Sequence, residues 1–360
     1  MRDYKNHYQA LTELFRQKKS CVLATVAETH GSAPQKAGSS AIFGVEGLIT
    51  GTVGGGVVEG FVHGKAMEGL LNKASGIYRF ELNDDMAKEN SSICGGGMTI
   101  LIDASPEKHV EVFELISNAL ARRVSGVLVT LANHVKEELS LQRLWVTRDN
   151  RDKVAKNLSG EVRRKLEEMM DQPTPADFRE VVYTSPDTTE KSYAFLESIV
   201  PLPRLLIAGA GHLGKAVAHL GRLLDFEVIV WDDRPEFANR NNLPDADLIL
   251  SGNLKTALKK FTAQQDTFVV IVTRGHKQDS DVLRQFINTE AGYIGMIGSR
   301  KKVAQVREQF IKNEWTTAER WSQIHAPIGL DIQSKSVQEI AMSIAAELIW
   351  ERQKLNRKDG

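Results

Sequence analysis

The chain has 360 residues, of which 42% are hydrophobic and 26% are charged, and its 46 basic residues balance 46 acidic ones. This composition is typical of a folded globular protein, and the length predicts two domains. The zero net charge argues against a nucleic-acid binder, and two cysteines, Cys21 and Cys94, are too few for a disulfide scaffold. No apolar run reaches the roughly 18 residues of a membrane span, so we expect a cytoplasmic protein without membrane association.

The first domain is predicted to be a glycine-rich α+β domain over residues 1–195. Ten of the 28 glycines lie within residues 31–64, a concentration that ordinary strands and helices do not need. The predicted elements, in chain order, are a helix over 3–18, a buried strand over 20–27, strands over 40–45 and 48–52 joined by a turn at Glu46-Gly47, a helix over 57–73, a strand within 93–104, a helix over 107–122 and a strand over 124–131.

Residues 133–192 are rich in charge and poor in apolar runs. We interpret them as a charged helical segment at the edge of the first domain, with one or two solvated helices over 148–172. A Pro-Leu-Pro sequence at 201–203 indicates the end of a connector, because proline forces extended geometry on the residue before it.

The second domain, residues 200–360, alternates strands and helices, which predicts a parallel sheet with helices on both faces. The overall fold class is therefore α/β, with a Rossmann-like C-terminal domain. The predicted strands are 205–208, 227–231, 268–273 and 293–299, and the predicted helices begin after Gly211 and cover 279–288, 300–313 and 335–352.

A glycine motif opens this domain. Gly209, Gly211 and Gly214 form G-x-G-x-x-G between a strand and a helix, which is the context of a dinucleotide-binding turn. Such a turn places free N–H groups and the positive end of a helix where a phosphate can bind. Asp232 ends the next strand, at the spacing of an acid that binds a ribose, and would favour NAD over NADP. The alternative is a glycine turn that serves packing alone.

Further polar residues follow the later strands of the same sheet. His276 lies in a polar loop after one strand, and Ser299 and Arg300 stand where a helix begins after another. Ligands of such sheets bind at the carboxyl ends of the strands, so these residues are candidates for the same site. The alternatives are a surface histidine and an ordinary serine N-cap.

The glycine-rich half holds a second candidate site. Gly54, Gly55 and Gly56 lead directly into a helix whose first turn contains Glu59, and Ser32 and Lys36 lie in a second glycine-rich loop. Backbone N–H groups of such loops can hold a phosphate or approach a flat heterocycle closely. The alternative is an intricate turn without a ligand.

Cys94 precedes a second triple glycine that includes Gly95 and Gly96. A cysteine on such a loop is a candidate nucleophile, sulfur carrier or metal ligand, and the alternative is a buried small apolar residue. Cys21 opens a strand and is predicted to be core. Two cysteines without a Cys/His cluster do not predict a zinc site, so we expect no metal site built by the protein.

Several motifs occur in a characteristic order: HGSAPQKAGSSAIF, GTVGGGVVEG, ICGGGMTI, LLIAGAGHLG, YIGMIGSRKK and PIGLDI. In this set the chain resembles the XdhC/CoxI family of xanthine dehydrogenase accessory proteins, from about residue 10 to residue 350. GTVGGGVVEG, and YIGMIGSRKK followed by PIGLDI, are the most specific parts of the resemblance. The glycine-rich N-terminal domain and the Rossmann-like C-terminal domain are both expected from it.

The resemblance implies a molybdenum-cofactor chaperone. Such a protein binds the cofactor (molybdopterin with its metal) transiently and assists its sulfuration and its insertion into a molybdenum hydroxylase client such as xanthine dehydrogenase. We also expect a sulfur-donor protein as a partner, and a homodimer, because an accessory protein must present a large face to its client. Cys94 is the candidate for sulfur handling. The resemblance favours a non-catalytic chaperone over an enzyme. The alternative is an NAD(P)-dependent oxidoreductase or a nucleotide-sensing regulator that uses the Rossmann-like domain.

The chain departs from the family pattern at one position. Many family members carry cysteine directly after the first triple glycine, where this chain has Val57. The role of that cysteine is therefore either absent here or carried by Cys94.

Overall fold

The computed structural model describes residues 6–82, 96–135, 138–174, 177–184, 191–259 and 261–358. The chain divides into two compact units, Met1–Pro201 and Leu202–Gly360. Unit 1 contains two antiparallel sheets with helices, and unit 2 contains one parallel sheet. This confirms the predicted fold class, an α+β first half and a Rossmann-like second half.

The first sheet of unit 1 carries the glycine-rich loops. Its strand order is β3-β2-β1-β5-β4. The strands are β1 (Val22–Gly31), β2 (Ser40–Gly44), β3 (Gly47–Gly51), β4 (Gly76–Leu82) and β5 (Gly96–Asp103). Helix α2 (Val57–Asn72) packs on one face of this sheet through Val58, Val62 and Ala66, which are buried at helical spacing. The strands predicted at 20–27, 40–45 and 48–52 and the helix at 57–73 are present with slightly shifted ends.

In the second sheet of unit 1 only β6 (Gly126–Val135) was predicted, as the strand over 124–131. The order of this sheet is β7-β6-β9-β8, with β7 (Glu138–Val146), β8 (Phe178–Thr184) and β9 (Lys191–Ile199). The interpretation of 133–192 as a charged helical segment is therefore wrong outside α4 (Arg151–Ala155) and α5 (Gly160–Asp171). A buried charge hides the strand pattern in β7, because Arg143 points inward to an ion pair with Asp103 of β5. Helix α5 is also more than a solvated helix, since Val162 and Leu166 are buried.

Two helices fill the space against both sheets. These are α1 (His7–Arg16) and α3 (Val110–Ala121), which follows a short 3₁₀ turn, Pro106–His109. Leu11 and Phe113 join one apolar cluster with Leu23 of the first sheet and Leu128 of the second. This shared core makes the two sheets one unit.

A small cavity with a mixed polar and apolar lining remains inside unit 1. Its lining includes Tyr8, Thr25, Thr130, Arg143 and Glu197, and its volume is about 20 Å³. That volume has room for about one water molecule and excludes a cofactor. Burial raises the pKa of Glu197 to about 7. Burial first, and the Arg143 charge second, lowers the pKa of His7, which also lines the cavity, to about 4.

Unit 2 is built on five parallel strands in the order β12-β11-β10-β13-β14. The strands are β10 (Arg204–Ala208), β11 (Glu227–Asp232), β12 (Leu248–Ser251), β13 (Thr267–Ile271) and β14 (Tyr293–Met296). The order reverses between β10 and β13, which is where ligands of doubly wound sheets bind. The helices are α6 (His212–Leu223), α7 (Leu254–Ala257), α8 (His276–Phe286), α9 (Arg300–Lys312), α10 (Ala318–Trp321) and α11 (Val337–Lys358). Strand β12 and the short helices α7 and α10 were not predicted.

A strap over residues 325–332 extends the sheet beside β14. His325 pairs with Gly295 in parallel, and its N–H donates to the carbonyl of Ile294 at 2.9 Å. Glu347 of α11 holds the strap, because it accepts the Gly329 N–H at 2.7 Å and lies 3.1 Å from Nδ1 of His325. The same carboxylate accepts the Tyr293 hydroxyl at 2.6 Å. Much of the PIGLDI motif is thus a structural connection between β14 and α11.

None of the helices within the described ranges is long and apolar enough to cross a bilayer.

The Glu197 carboxyl should make stability depend on pH. Its pKa is raised to about 7 in the folded protein from an ordinary 4.5, so the folded state keeps a proton that the unfolded state releases between these values. Taken alone, this proton lowers the free energy of unfolding by at most about 3 kcal/mol as pH rises from 4.5 to 7, whereas His7, whose pKa is lowered to about 4, raises it between about pH 4 and 6.5. Urea unfolding at several pH values measures this. Glu197→Gln removes only the Glu197 contribution, so its free energy of unfolding should rise with pH relative to that of Glu167→Gln, an exposed position of α5. Parallel curves for the two variants contradict the assignment.

Candidate functional site

Two glycines of the Rossmann-like turn are required by packing. Gly209 has φ +121°, and a Cβ atom there would lie 2.4 Å from the carbonyl oxygen of Val272. A Cβ atom on Gly214 would lie 1.8 Å from the carbonyl oxygen of Gly209. Both positions therefore exclude a side chain, which lets α6 approach the end of β10 closely.

Gly211 is different, because a Cβ atom there would meet nothing within 4 Å. Gly275, which precedes α8, is equally open. Neither α6 nor α8 has a side-chain hydrogen bond to its N-terminal N–H groups from its N-cap residue. Since β10 and β13 are neighbours, these two helix starts lie at the point where the strand order reverses, and their geometry suits an anion.

The structure gives Asp232 a structural role. Its side chain is 3% exposed, and it accepts the Ala210 N–H at 2.8 Å and the Nε and Nη2 groups of Arg234 at 2.9 and 3.0 Å. Burial opposes ionisation, but the hydrogen bonds from Arg234 and Ala210 outweigh it and hold the pKa of Asp232 below its usual range. A ribose hydroxyl would have to compete with these bonds. The adjacent Arg234 also removes the basis for expecting discrimination against a 2′-phosphate.

Sequence reasoning missed Arg234. Its guanidinium lies 3.8 Å from the ring centroid of Phe237, so it is held between this ring and Asp232. The only sequence signal was the run Asp-Asp-Arg-Pro-Glu-Phe after the strand, in which an arginine two residues after an acid can fold back onto it.

The other predicted residues of unit 2 lie at the same sheet edge but do not converge on one point. His276 is exposed in the first turn of α8. Ser299 caps α9, because its hydroxyl accepts the Lys302 N–H at 3.3 Å. Arg300 is 90% exposed and 3.8 Å from Asp331 of the strap. Asp279, in the first turn of α8, is fully buried and binds Lys302 at 2.6 Å, so it joins α8 to α9.

The first triple glycine of unit 1 combines one packed and two open positions. Gly54 has φ +119°, and a Cβ atom there would lie 3.0 Å from Cγ of Pro34. Gly55 and Gly56 have nothing within 4 Å of a Cβ position, and Gly56 has φ +65°. Helix α2 begins directly after Gly56 without a side-chain cap. Its first N–H groups therefore receive no hydrogen bond from the N-cap side chain, which is a property of phosphate-binding helix starts.

The loop over residues 32–39 lies against this helix start. The contact between Pro34 and Gly54 joins the two loops, and Ser32 and Lys36 are exposed on the first of them. Glu59 is half-buried in the first turn of α2. The structure thus joins the two loops at Pro34 and Gly54, and Lys36 is exposed two residues after Pro34.

The second triple glycine is filled by the protein where it is described. A Cβ atom on Gly96 would lie 2.6 Å from the His30 carbonyl oxygen, and one on Gly97 would lie 2.1 Å from Cε1 of His30. These glycines allow β5 to pair with the end of β1 rather than leaving space for a ligand. Cys94 and Gly95 lie outside the described residues.

Among the described residues, no group of three or more histidine, cysteine, aspartate or glutamate side chains could hold a metal ion. Cys21 is fully buried, and burial, followed by the charges of Glu107 and Asp103, raises the pKa of its thiol to about 12. Such a thiol is inert at neutral pH.

Comparison with known proteins gives a consistent set of relatives. The profile described as "XdhC Rossmann domain" matches residues 205–348, and the profile described as "XdhC and CoxI family" matches residues 14–81. A Bacillus subtilis protein, named as a probable subunit of xanthine dehydrogenase, is 25% identical over 354 residues, which cover 97% of this chain and 98% of that protein. "Uncharacterized protein YqeB" of Escherichia coli is 32% identical over 148 residues, 41% of this chain and 27% of that protein.

A solved structure has the same fold. The crystal structure described as a xanthine dehydrogenase from Bacillus halodurans superposes with a TM-score of 0.74 at 22% identity, over 96% of both chains.

The contrast between Gly214 and Gly211 can be measured. Gly214→Ala forces a Cβ atom against a backbone carbonyl, so we expect a loss of about 2 kcal/mol or more in the free energy of unfolding. Gly211→Ala is the matched control in the same turn, and it should cost less than about 1 kcal/mol, the difference between glycine and alanine at an N-cap. Urea unfolding of both variants provides the comparison. Equal losses would contradict the distinction between a packed and an open glycine.

Proposed function

Because the chain belongs to the XdhC and CoxI family, we propose that it is an accessory protein in the maturation of a xanthine-dehydrogenase-type molybdenum hydroxylase. The two family profiles together span more than half of the chain, and the full-length B. subtilis relative carries a name from xanthine dehydrogenase. The client is therefore an enzyme of that class. The proposal also includes a sulfur-donor protein as a second partner and a cytoplasmic location.

In this role the protein binds the molybdenum cofactor as cargo and assists its sulfuration and its insertion into the client. The observation that carries this proposal is the open start of α2, where Gly55 and Gly56 leave space in front of uncapped N–H groups. The phosphate of the cofactor needs such donors. Lys36 and Ser32, on the adjacent loop, add a positive charge and a hydroxyl.

The glycines also suit the flat ring of a pterin, because a backbone without side chains allows close approach to a planar group. Sulfur handling is assigned to Cys94, since Cys21 is buried and its thiol stays protonated.

A second candidate function is nucleotide sensing or NAD(P)-dependent oxidation by unit 2. The observation in its favour is the pair of open glycines, Gly211 and Gly275, at the reversal of the strand order. Against it stands Asp232, whose oxygens are already bound by Ala210 and Arg234. This candidate therefore predicts phosphate contacts without the usual ribose contact.

Anaerobic binding of purified molybdenum cofactor, followed by ultrafiltration and molybdenum counting, tests the first proposal. We expect Gly55→Asp to lower the retained molybdenum at least tenfold, because a carboxylate in the open space repels a phosphate. Gly64→Asp is the matched control: it is an equally open glycine two turns further along α2 and should bind as the wild type does.

If both variants retain the cofactor equally, α2 does not begin at the binding site. If the wild type retains no molybdenum but binds NAD or NADP tightly, the second candidate replaces the first. Thermal unfolding of both variants checks that neither has lost its fold.

The start of α2 should also activate a thiol. Val57, where many family members have cysteine, is 49% exposed at the first position of α2, and Leu71 is 89% exposed in its last turn. In a Cys94→Ser background, we expect the thiol of Val57→Cys to have a lower pKa than that of Leu71→Cys, because the helix dipole stabilises a thiolate only at the N-terminus. The pH dependence of iodoacetamide alkylation gives both values. Identical profiles would mean that the helix start does not favour an anion.

A further inference from the structure

The cavity inside unit 1 lies where α1 meets the two antiparallel sheets. Tyr8 lines it from α1, and Thr25 lines it from β1 of the first sheet. Arg143 and Glu197 line it from β7 and β9 of the second sheet. Its volume of about 20 Å³ is enough for one water molecule and far too small for a phosphate or an organic ligand. Any occupant is therefore a single small molecule or ion.

Two polar groups on the cavity wall lack a hydrogen bond within the described part of the chain. They are the hydroxyl of Tyr8 and the Nε group of Arg143. Tyr8 is 3% exposed and Arg143 is 5% exposed, so bulk solvent does not take the place of a partner. Buried polar groups in folded proteins are almost always hydrogen-bonded, either to the protein or to ordered water. Two such groups on one cavity wall point to an occupant that accepts a hydrogen bond from each.

Glu197 is the third polar group of the cavity. After burial, its charge is the largest cause that raises the pKa of the Tyr8 hydroxyl well above the ordinary value, so the carboxyl and the hydroxyl face the same space. Burial also raises the pKa of Glu197 itself to about 7, so this carboxyl loses its donor proton near neutral pH. Water suits both forms, because it accepts from Tyr8 and Arg143 and can either donate to Glu197 or accept from it.

The charges around the cavity argue against an ion as the occupant. Arg143 is already paired with Asp103 in a buried ion pair, which neutralises its charge. His7, the other basic group on the wall, has its pKa lowered to about 4 and is neutral at pH 7. A monatomic anion would therefore meet no net positive charge, and a cation would face the guanidinium of Arg143. An uncharged ligand avoids both costs.

We propose that this cavity is the binding site of one structural water molecule, which accepts hydrogen bonds from the Tyr8 hydroxyl and Arg143 Nε and exchanges one with Glu197. The water connects α1 with two strands of the second sheet, β7 and β9. Leu11 of α1 and Leu128 of the second sheet belong to the same apolar core, and the water adds a polar link to it. Hydrogen bonds are directional, so this link fixes the orientation of the first turn of α1. The inference does not depend on cofactor binding.

A high-resolution crystal structure of the full-length protein, grown with sodium bromide, identifies the occupant directly. We expect one round density peak at about 2.7–3.2 Å from both Tyr8 Oη and Arg143 Nε, without an anomalous bromine signal. A bromine signal at this position would identify an anion site, and a cavity without density would show that no ligand binds there. Either result overturns the proposal.

Filling the cavity measures what the water contributes in solution. Thr130 is buried on the cavity wall, and Thr130→Ile places one more carbon atom there than the matched control Thr130→Val. Expulsion of a water leaves Tyr8 and Arg143 without a partner, so we expect the Tm of Thr130→Ile to lie about 3 °C or more below that of Thr130→Val. Filling a dry cavity would raise the Tm instead, because it adds apolar contacts, and that result overturns the proposal.

Oxygen-17 relaxation dispersion of the solvent separates expulsion of a water from simple crowding, because it counts the long-lived internal waters of a protein in solution. Thr130→Ile should hold one such water fewer than Thr130→Val. Equal counts would mean that the larger side chain lowers the Tm by crowding alone, and this would also overturn the proposal.

Discussion

The lack of room for a Cβ atom at a few backbone positions is the constraint on which both units depend. In unit 1, a Cβ atom on Gly51 would lie 2.1 Å from the Ser40 carbonyl oxygen, so any side chain there would separate β2 from β3. In unit 2, the contact of Gly214 with the Gly209 carbonyl sets how closely α6 lies to the sheet. The distance between layers, and hence the shape of each sheet edge, follows from these contacts.

The space around a hypothetical Cβ atom separates glycines that packing requires from glycines that packing does not require. Gly96, Gly97, Gly209 and Gly214 are surrounded by protein, whereas Gly55, Gly56 and Gly211 are not. These three open glycines stand at or beside the start of a helix without a side-chain cap, whereas Gly64, which is equally open, lies within α2. A glycine that packing does not require, beside uncapped helix N–H groups, is a stronger indication of anion binding than a glycine motif alone.

Most of the fold could be predicted from the sequence where local patterns are complete. Buried parallel strands such as Phe268–Ile271 appear as continuous apolar runs, and the turn at Gly209 has a known spacing. In the second sheet of unit 1 the sequence predicted β6 but not β7, because β7 contains a buried arginine whose partner, Asp103, lies 40 residues away. Local periodicity cannot reveal a distant ion pair. The candidate site was predictable only in part for a similar reason. The sequence placed Asp232 at the end of β11, where the structure has it. It did not show that Arg234 folds back and binds the Asp232 carboxylate.

The position of α11 has a consequence for the order of events during synthesis. Strand β10, the first of unit 2, lies at the centre of its sheet, and α6 beside it is covered only when α11 packs on it. About 150 residues separate the end of unit 1 from the last turns of α11, which takes roughly 8–30 s of translation. The described apolar clusters of unit 1 draw on residues up to Ile199, so this unit can fold on the ribosome while the apolar face of α6 is still uncovered. The nascent chain thus acquires its glycine-rich half well before its Rossmann-like half.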